Sequence, residues 1–507
     1  MGMTTKKDSK VLGFLQGLST VIASNKFFYG VLAFLVLSSS WVAISSLYPM
    51  AFDENFHLGI IKLYAELWNP FAITQTPEAA EFGSVATDPS YLFHYLMSFP
   101  YRLLAAITSS ETVIVIVLRF INIALFTTGV IVYRNVLLKA GLSPAIVHAV
   151  LAVFVLIPVV PLLAGQINYD NLLILIVAAV FWLTLRIREG LRTNETIPTA
   201  FMLWLLILLL FASVVKYAFL PIAAGVVFYL CYEIFRVLRH GKEIPAQAWQ
   251  DFKQFSTQLK LTFVVFLGLG VLLFAQRYVV NIVRYHEPVP DCAAVLTVDE
   301  CNQYSVWRRD NAYAQNKDGL EVYGPVRYTT THWWYGMWHR LFFTLAGPTN
   351  DYATRQQLPI PSRLAIILVV GGSILAVIYG RTLLRQYPIF VLFIVVGVLY
   401  VAALWLQVYQ LYVYTARPVA INGRYLIPLL PAFGVMLAAA YSWFFTKVGQ
   451  TKIKGAFATV VILLMLQGGG PITYIVRSEP NWYWPNSFMQ DANMKLQRIL
   501  KPVIIDD

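Results

Sequence analysis

Apolar residues occupy this chain in runs of about 16–24 residues, long enough as helices to cross a hydrocarbon core of roughly 30 Å. They recur near residues 27–47, 111–133, 144–164, 171–186, 199–217, 218–235, 261–281, 363–380, 387–408, 425–446 and 455–474. The pattern predicts an all-α polytopic membrane protein with about eleven transmembrane helices. Residues 91–109 form a further apolar run. It follows Asp88-Pro89 and carries His94, Pro100 and Arg102, which suits a helix lying in the interface rather than crossing it.

Charge then sets the expected sidedness. If 91–109 crossed the membrane, the loops holding Arg134 and Lys139, and Arg186, Arg188 and Arg192, would lie outside, against the preference of Lys and Arg for cytoplasmic loops. Left at the outer surface, the segment returns those loops to the cytoplasm. Arg236, Arg239 and Lys242, Arg381 and Arg385, and Lys447, Lys452 and Lys454 join them. The chain is therefore expected in the plasma (inner) membrane with its N-terminus cytoplasmic and its C-terminus outside. Lys6, Lys7, Lys10 and Lys26 flank a first run that is too long for a signal peptide and has no small-residue cleavage site after it, so it reads as a retained anchor.

This map divides the chain into an N-terminal transmembrane module, 1–281, whose first outer loop spans 48–110 and holds interfacial helices. A large outer loop, 282–362, follows, then C-terminal spans, 363–474, and an outer tail, 475–507. Residues 165–171 and 412–423 are further outer turns, and 236–260 is an inner loop.

Composition supports the membrane reading. The 507 residues are 58% hydrophobic and 13% charged, with a mean hydropathy of +0.64, outside the range of soluble globular domains. A net charge of +12 would suggest nucleic acid in a soluble protein. Here anchoring charges and anionic membrane lipid account for it, and no nucleic-acid-binding pattern is present. Of the cysteines, Cys231 lies in an apolar run and reads as packing. Cys292 and Cys301 are spaced for a short disulfide if their loop faces an oxidising compartment.

The polar residues worth chemistry collect on the outer side of the map. Asp53 and Glu54 stand together where the first span meets water, with His57, Asp88 and His94 further along the same loop. Asn168-Tyr169-Asp170-Asn171 fills the second outer turn. Lys216 closes the fifth span, and Gly423-Arg424-Tyr425 opens the tenth. Adjacent acids at a membrane boundary can divide labour, one as general base and the other as hydrogen-bond partner or metal ligand. Lys216 and Arg424 suit an anionic headgroup, Arg through a planar fork and Lys as a point charge. Simple snorkelling to the interface is the other reading of both.

Arg119 lies inside the second span and needs an anion or carbonyl in the bundle, either Glu111 or a first-loop acid. Trp333-Trp334-Tyr335 with Trp338, and Trp482-Tyr483-Trp484, read as interfacial belts. His332 and His339 lack metal-ligand spacing. Asp53-Glu54-Asn-Phe-His57 departs from the zinc-protease pattern at its first ligand.

Taken in chain order, these residues resemble the GT-C superfamily of membrane glycosyltransferases, which includes protein O-mannosyltransferases and the bacterial aminoarabinose transferase. The likeness lies in Asp53-Glu54 after the first span and Leu118-Arg119-Phe120 in the second. It continues in Asn168-Tyr-Asp170 opening the fourth and Val215-Lys216-Tyr217 closing the fifth, with the Gly423–Pro431 run similar to bacterial members. The resemblance implies an inverting transfer of sugar from a polyprenyl-phosphate donor to an acceptor at the outer face. By it Asp53 is the base and Glu54 its partner, while Lys216 and Arg424 hold the donor phosphate. His57, Asp88, Arg119, Asp170 and Tyr425 are supporting residues, and a divalent metal is left open. The alternatives are a transporter or flippase of lipid-linked saccharides, or a non-catalytic membrane scaffold.

Overall fold

The computed structural model describes residues 17–50, 53–71, 75–193, 198–239, 244–342 and 360–502. The expected anchoring residues Lys6, Lys7, Lys10 and Lys242 lie outside these. Among the described residues every named element is helical, and an isolated antiparallel bridge joins Ser46 to Tyr483. Seven helices are long and apolar enough to cross a membrane, or up to eight if a bent pair is one span. Pro144–Leu156 and Thr199–Val215 are shorter apolar helices. The chain is thus an all-α polytopic membrane protein.

Local chemistry explains how the principal helices begin and where they break. Asn25–Ser45 is capped by Ser24, whose side chain accepts from the Phe27 amide, and Glu111–Lys139 by Ser110, which accepts from Val113. Glu111 in the first turn and Lys139 in the last complement the helix dipole. Pro158 divides the 144–164 run into Pro144–Leu156 and Val159–Ala164. The Thr257–Tyr285 helix contains a π-turn at Ala275–Val279. Ser362–Ile378 meets Gly380–Gln386 at 81°.

The Glu111–Lys139 and Asp170–Thr193 helices form the spine, running side by side in the same direction. Asn122 bonds Asn171 near one end, Tyr133 meets Phe181 midway, and Lys139 pairs with Glu189 at the other. Gly129 permits their close approach, since a Cβ there would lie 2.9 Å from the Leu175 amide nitrogen.

The two ends of this spine differ chemically. At one, Lys139 and Arg186 pair with Glu189, and Arg188 and Arg192 hold the buried Glu233. Asp53, Glu54, Asp170, Lys216 and Arg424 occupy the other.

Residues 91–109 form the Leu92–Ile107 helix, which is not among the helices long and apolar enough to span. It packs Leu92, Phe93, His94 and Met97 inward and exposes Leu96, Phe99, Leu103 and Ile107 along one side. Arg102 bonds the carbonyls of Tyr64, Ala65 and Leu67 and lies 4.0 Å over the Trp68 ring, tying this helix to Glu54–Ala65.

Three local expectations are revised. Cys231, expected to pack, is exposed, because Phe228, Tyr232 and Phe235 place that side of its helix outward. Tyr483 in the expected C-terminal belt is instead buried. Leu47 donates to the Trp482 carbonyl, Trp484 donates to that of Ser45, and Trp41 donates to Asn493, so the tail clamps the end of the first long helix. In the other aromatic stretch, Trp334 and Tyr335 are exposed, but Trp333, Met337 and Arg340 turn inward against the segment carrying Gly423. Cys292 and Cys301 do form a disulfide, with their Cα atoms 5.9 Å apart.

Candidate functional site

Glu54 and Arg119 make the deepest contact of the site. Arg119 Nε and Nη2 donate to Glu54 Oε1 and Oε2 at 2.8 and 2.7 Å, with both side chains fully buried. Each carboxylate oxygen also accepts a backbone amide, Ile167 at 3.1 Å and Met50 at 2.8 Å. Arg119 Nη1 donates to the carbonyls of Ala43 and Ser46. Of the two partners open to Arg119 from sequence, the first-loop acid is therefore the one used, while Glu111 pairs with Lys62 at 2.6 Å. The pair ties four segments together and leaves neither Glu54 oxygen short of a donor.

Asp53 is placed differently from its neighbour. It sits ahead of the Glu54–Ala65 helix at φ +69°, a left-handed conformation that Asp tolerates better than most residues, and its side chain does not cap that helix. The carboxylate is 56% exposed and turns to Arg424, whose Nη2 donates to Oδ2 at 2.9 Å. Arg424 is buried and approaches Asp170 Oδ2 with its Nε at 4.0 Å. Asp170 Oδ1 in turn accepts from Lys216 Nζ at 2.5 Å. The result is a line of alternating charge, Asp53, Arg424, Asp170, Lys216, open to solvent only at the Asp53 end.

Each member is held by its own local structure. The Asn422 side chain accepts from the Arg424 amide, and a Cβ on Gly423 would overlap the Met337 carbonyl, so only glycine lets this turn sit so close. Asn168 Oδ1 accepts from the Asp170 amide, while Asn122 Oδ1 accepts from the Asn168 amide and the Asn171 side chain. Tyr91 donates its amide to Val214, and Tyr217 donates its amide to Ser90 Oγ, fixing the first loop against the turn that carries Lys216. The Lys216 ammonium lies 4.4 Å over Tyr169 and 5.1 Å over Tyr425, two aromatic faces that favour a cation.

His57 and His94 form a second buried layer, stacked at 5.2 Å with Nδ1 of the first 2.9 Å from Nε2 of the second. Tyr169 meets His57 edge-on at 4.6 Å. Burial holds His57 well below its ordinary pKa, reinforced by His94, Arg424 and Lys216. Burial likewise takes His94 down to about 3, against the pull of the Ser90 backbone. Both rings are neutral at pH 7. Asp88 is pushed up by burial and partly restored by the Ser90 amide and Arg277.

All of the sequence-predicted residues thus fall on one end of the bundle. Asp53, Asp170, Lys216 and Arg424 come into line, with Tyr425 beside the cations. Glu54 and Arg119 lie beneath, His57 to one side, and Asp88 apart with Arg277.

Two residues were not foreseen. Arg277, buried in the 261–281 run, lies 4.5 Å over Tyr91 and donates to Tyr64 and the Val85 carbonyl. A lone charge inside an apolar run is the same signal that marks Arg119. Tyr304, from the segment after the Thr257–Tyr285 helix, packs on Phe56 and Gly83, and no local pattern announces it. Among the described residues, no group of three or more His, Cys, Asp or Glu side chains could hold a metal ion.

Comparison with family models, curated proteins and solved structures finds no match. The fold and the site define the class, a polytopic α-helical membrane protein with a partly buried charge cluster at one end of its bundle.

Proposed function

We propose that the chain is an inverting glycosyltransferase that moves a sugar from a polyprenyl-phosphate donor to an acceptor hydroxyl at the outer membrane face. The observation that carries this reading is the alternating line from Asp53 to Lys216. Its charges balance, so an arriving phosphodiester must find a cation by competing with an acid already there. Asp53 is the exposed acid, and the donor phosphate takes its place on Arg424. Binding of the donor thereby releases the Asp53 carboxylate as base beside the sugar.

The reaction balances simply. The acceptor oxygen attacks the anomeric carbon as its proton passes to Asp53, and the bond from that carbon to the phosphate oxygen breaks. Arg424, with Lys216 behind it, stabilises the charge gathering on the departing phosphate. Glu54 acts through Arg119 as a positioning group that fixes the helix start next to Asp53.

An apolar cavity of about 820 Å³ supports a lipid-borne donor. Leu426 and Leu430 line it from the segment that carries Arg424, and Trp338 and Leu341 come from the helix beneath Gly423. A transporter would place charged groups deep in several spans. Among the described residues, the buried ion pairs instead gather toward the two ends of the spine, with Arg119 and Arg277 a little over two turns inside their helices on the site's side, which favours transfer over transport. The seven spans, the bent pair, Pro144–Leu156 and Thr199–Val215 make ten traversals, and Lys454–Leu466 supplies the eleventh, with the site outside and the Glu189 and Glu233 clusters inside.

The test is transfer from polyprenyl-phosphate sugars by purified protein in lipid. Asp53→Asn is expected to cut turnover by about 10²–10⁴-fold with donor binding retained. Arg424→Ala is expected to weaken donor binding as well as turnover. Near-normal transfer by Asp53→Asn would remove Asp53 as base, and failure of the wild type to bind or consume any prenyl-linked sugar would end the reading.

A further inference from the structure

The large outer loop contributes a residue to the site that charge patterning does not reveal. Tyr304 stands between the disulfide-closed segment and the Ser305–Gln315 helix, and donates its amide to the Cys301 carbonyl. Its ring lies 6.0 Å from Phe56, whose own ring is 5.6 Å from His57. On its other side it covers Gly83, where a Cβ would come within 3.1 Å of Tyr304 Cδ1. Gly83 is held at φ +79°, a conformation that also favours glycine. The first outer loop has therefore left a bare patch of backbone on which this ring rests.

Acidic and phenolic groups of the site act on the polar end of the ring. Burial, then Asp53, Asp88, Tyr217 and Tyr425, in that order, hold the Tyr304 hydroxyl above its ordinary pKa, so it is a neutral donor throughout the physiological range. Tyr217 already engages Gln407, and Tyr425 faces Lys216 and Arg424 with its ring. The Tyr304 segment is also well anchored. The disulfide closes it, a Thr297–Glu300 capping box fixes the turn before it, and the following helix packs on Ile389–Thr415.

We infer that Tyr304 is a substrate-contacting residue that roofs the site and binds the sugar of the donor, its hydroxyl bonded to a sugar hydroxyl while its ring stays seated on Phe56 and Gly83. This rests on the proposed glycosyl transfer and deepens it. The phosphate belongs to Arg424 and Lys216 at the buried part of the line, whereas Tyr304 packs on Phe56, three residues on from Asp53, on the side where the sugar must lie for its anomeric carbon to meet an acceptor. A phenol held by its ring suits this role because the apolar body anchors it and leaves the polar tip for the ligand.

The prediction separates sugar from phosphate. Binding to the full-length protein in nanodiscs is measured for undecaprenyl phosphate and for a panel of undecaprenyl-phosphate-linked hexoses and pentoses. Tyr304→Phe, which keeps the ring, is expected to weaken the best glycosylated ligand by about 3- to 10-fold, the worth of one neutral hydrogen bond. Tyr304→Ala should weaken it further, and neither variant should change binding of undecaprenyl phosphate. Arg424→Ala is expected to weaken both ligands. If the wild type binds both and the Tyr304 variants weaken neither, or weaken both equally, the assignment of Tyr304 is overturned while the proposed function stands. If the wild type binds neither, the proposed function and this assignment fall together. Thermal unfolding of Tyr304→Phe within about 2 °C of wild type establishes that a loss is not one of folding.

Discussion

Glu54→Gln replaces the buried acid by its nearest neutral shape, and the structure makes its consequence specific. Glu54 Oε1 accepts from Arg119 Nε and the Ile167 amide, and Oε2 accepts from Arg119 Nη2 and the Met50 amide. Whichever oxygen becomes an NH₂ group, it faces two donors with a third. Two buried N–H groups then lose their acceptor, and the Arg119 cation loses its counter-charge. A buried unsatisfied donor costs about 1–3 kcal/mol, and removing one partner of a buried ion pair about 3–5 kcal/mol. These overlap rather than add, so a loss of about 3–5 kcal/mol is expected. Asp53→Asn is the control one residue away. Asp53 is more than half exposed, and its loss should cost no more than about 1 kcal/mol. Reversible unfolding in mixed micelles, followed by far-UV circular dichroism, measures both. A Glu54→Gln protein within about 1 kcal/mol of wild type would refute the account of the pair as a clamp. A double-mutant cycle with Arg119→Gln should return a coupling well above the few tenths of a kcal/mol seen for independent sites.

Further outcomes follow from the same geometry. Gly423→Ala must push the Met337 carbonyl away or shift the turn, and should cost about 1–3 kcal/mol in the same unfolding measurement. His57 and His94 are neutral in the folded state and take up protons on unfolding. Their contribution is therefore fully present above about pH 6.5 and declines as the pH falls from 6.5 towards 3, by at most about 1.4 kcal/mol per pH unit for each ring. His94→Gln should flatten the stability profile between pH 6.5 and 5, and an unchanged slope would remove His94 from the account. Cysteines placed singly in 134–143 and 186–193 should resist a membrane-impermeant thiol reagent in intact cells. Labelling from outside at either loop would reverse the proposed sidedness.

The sequence makes legible what depends on spacing and local cost. An ionisable residue at the end of an apolar run is expensive wherever the helix stops, so Asp53, Lys216 and Arg424 stand out without any structure. Which charge meets which is a matter of tertiary packing. Nothing in the chain joins Lys216 to Asp170 across 46 positions, or Arg424 to Asp53 across 371. Asp53 and Glu54 read as one motif, yet a left-handed backbone at Asp53 sends its side chain to Arg424 while Glu54 turns inward to Arg119. Tyr304 was beyond reach for a different reason, because tyrosines are plentiful here and the role of one comes only from what it faces, while His57 and His94 stood out singly but their stacking across 37 positions did not. Run lengths located the helices but not the Pro158 break or the 81° bend.

The clamp at the C-terminal tail bears on the order in which the protein is made. Ser46 and Leu47 meet Arg119 on one side, and Ser45, Ser46 and Leu47 meet residues 482–484 on the other. Ser46 Oγ also shares a hydrogen bond with Tyr474. The helix ending at Ser45 leaves the ribosome long before its partners at residues 482–484. The turn that positions Asp53 and Glu54 is therefore locked only once residues 482–484 have been made and have folded back, and a chain cut short before residue 482 carries every charged residue of the site on an unfinished frame.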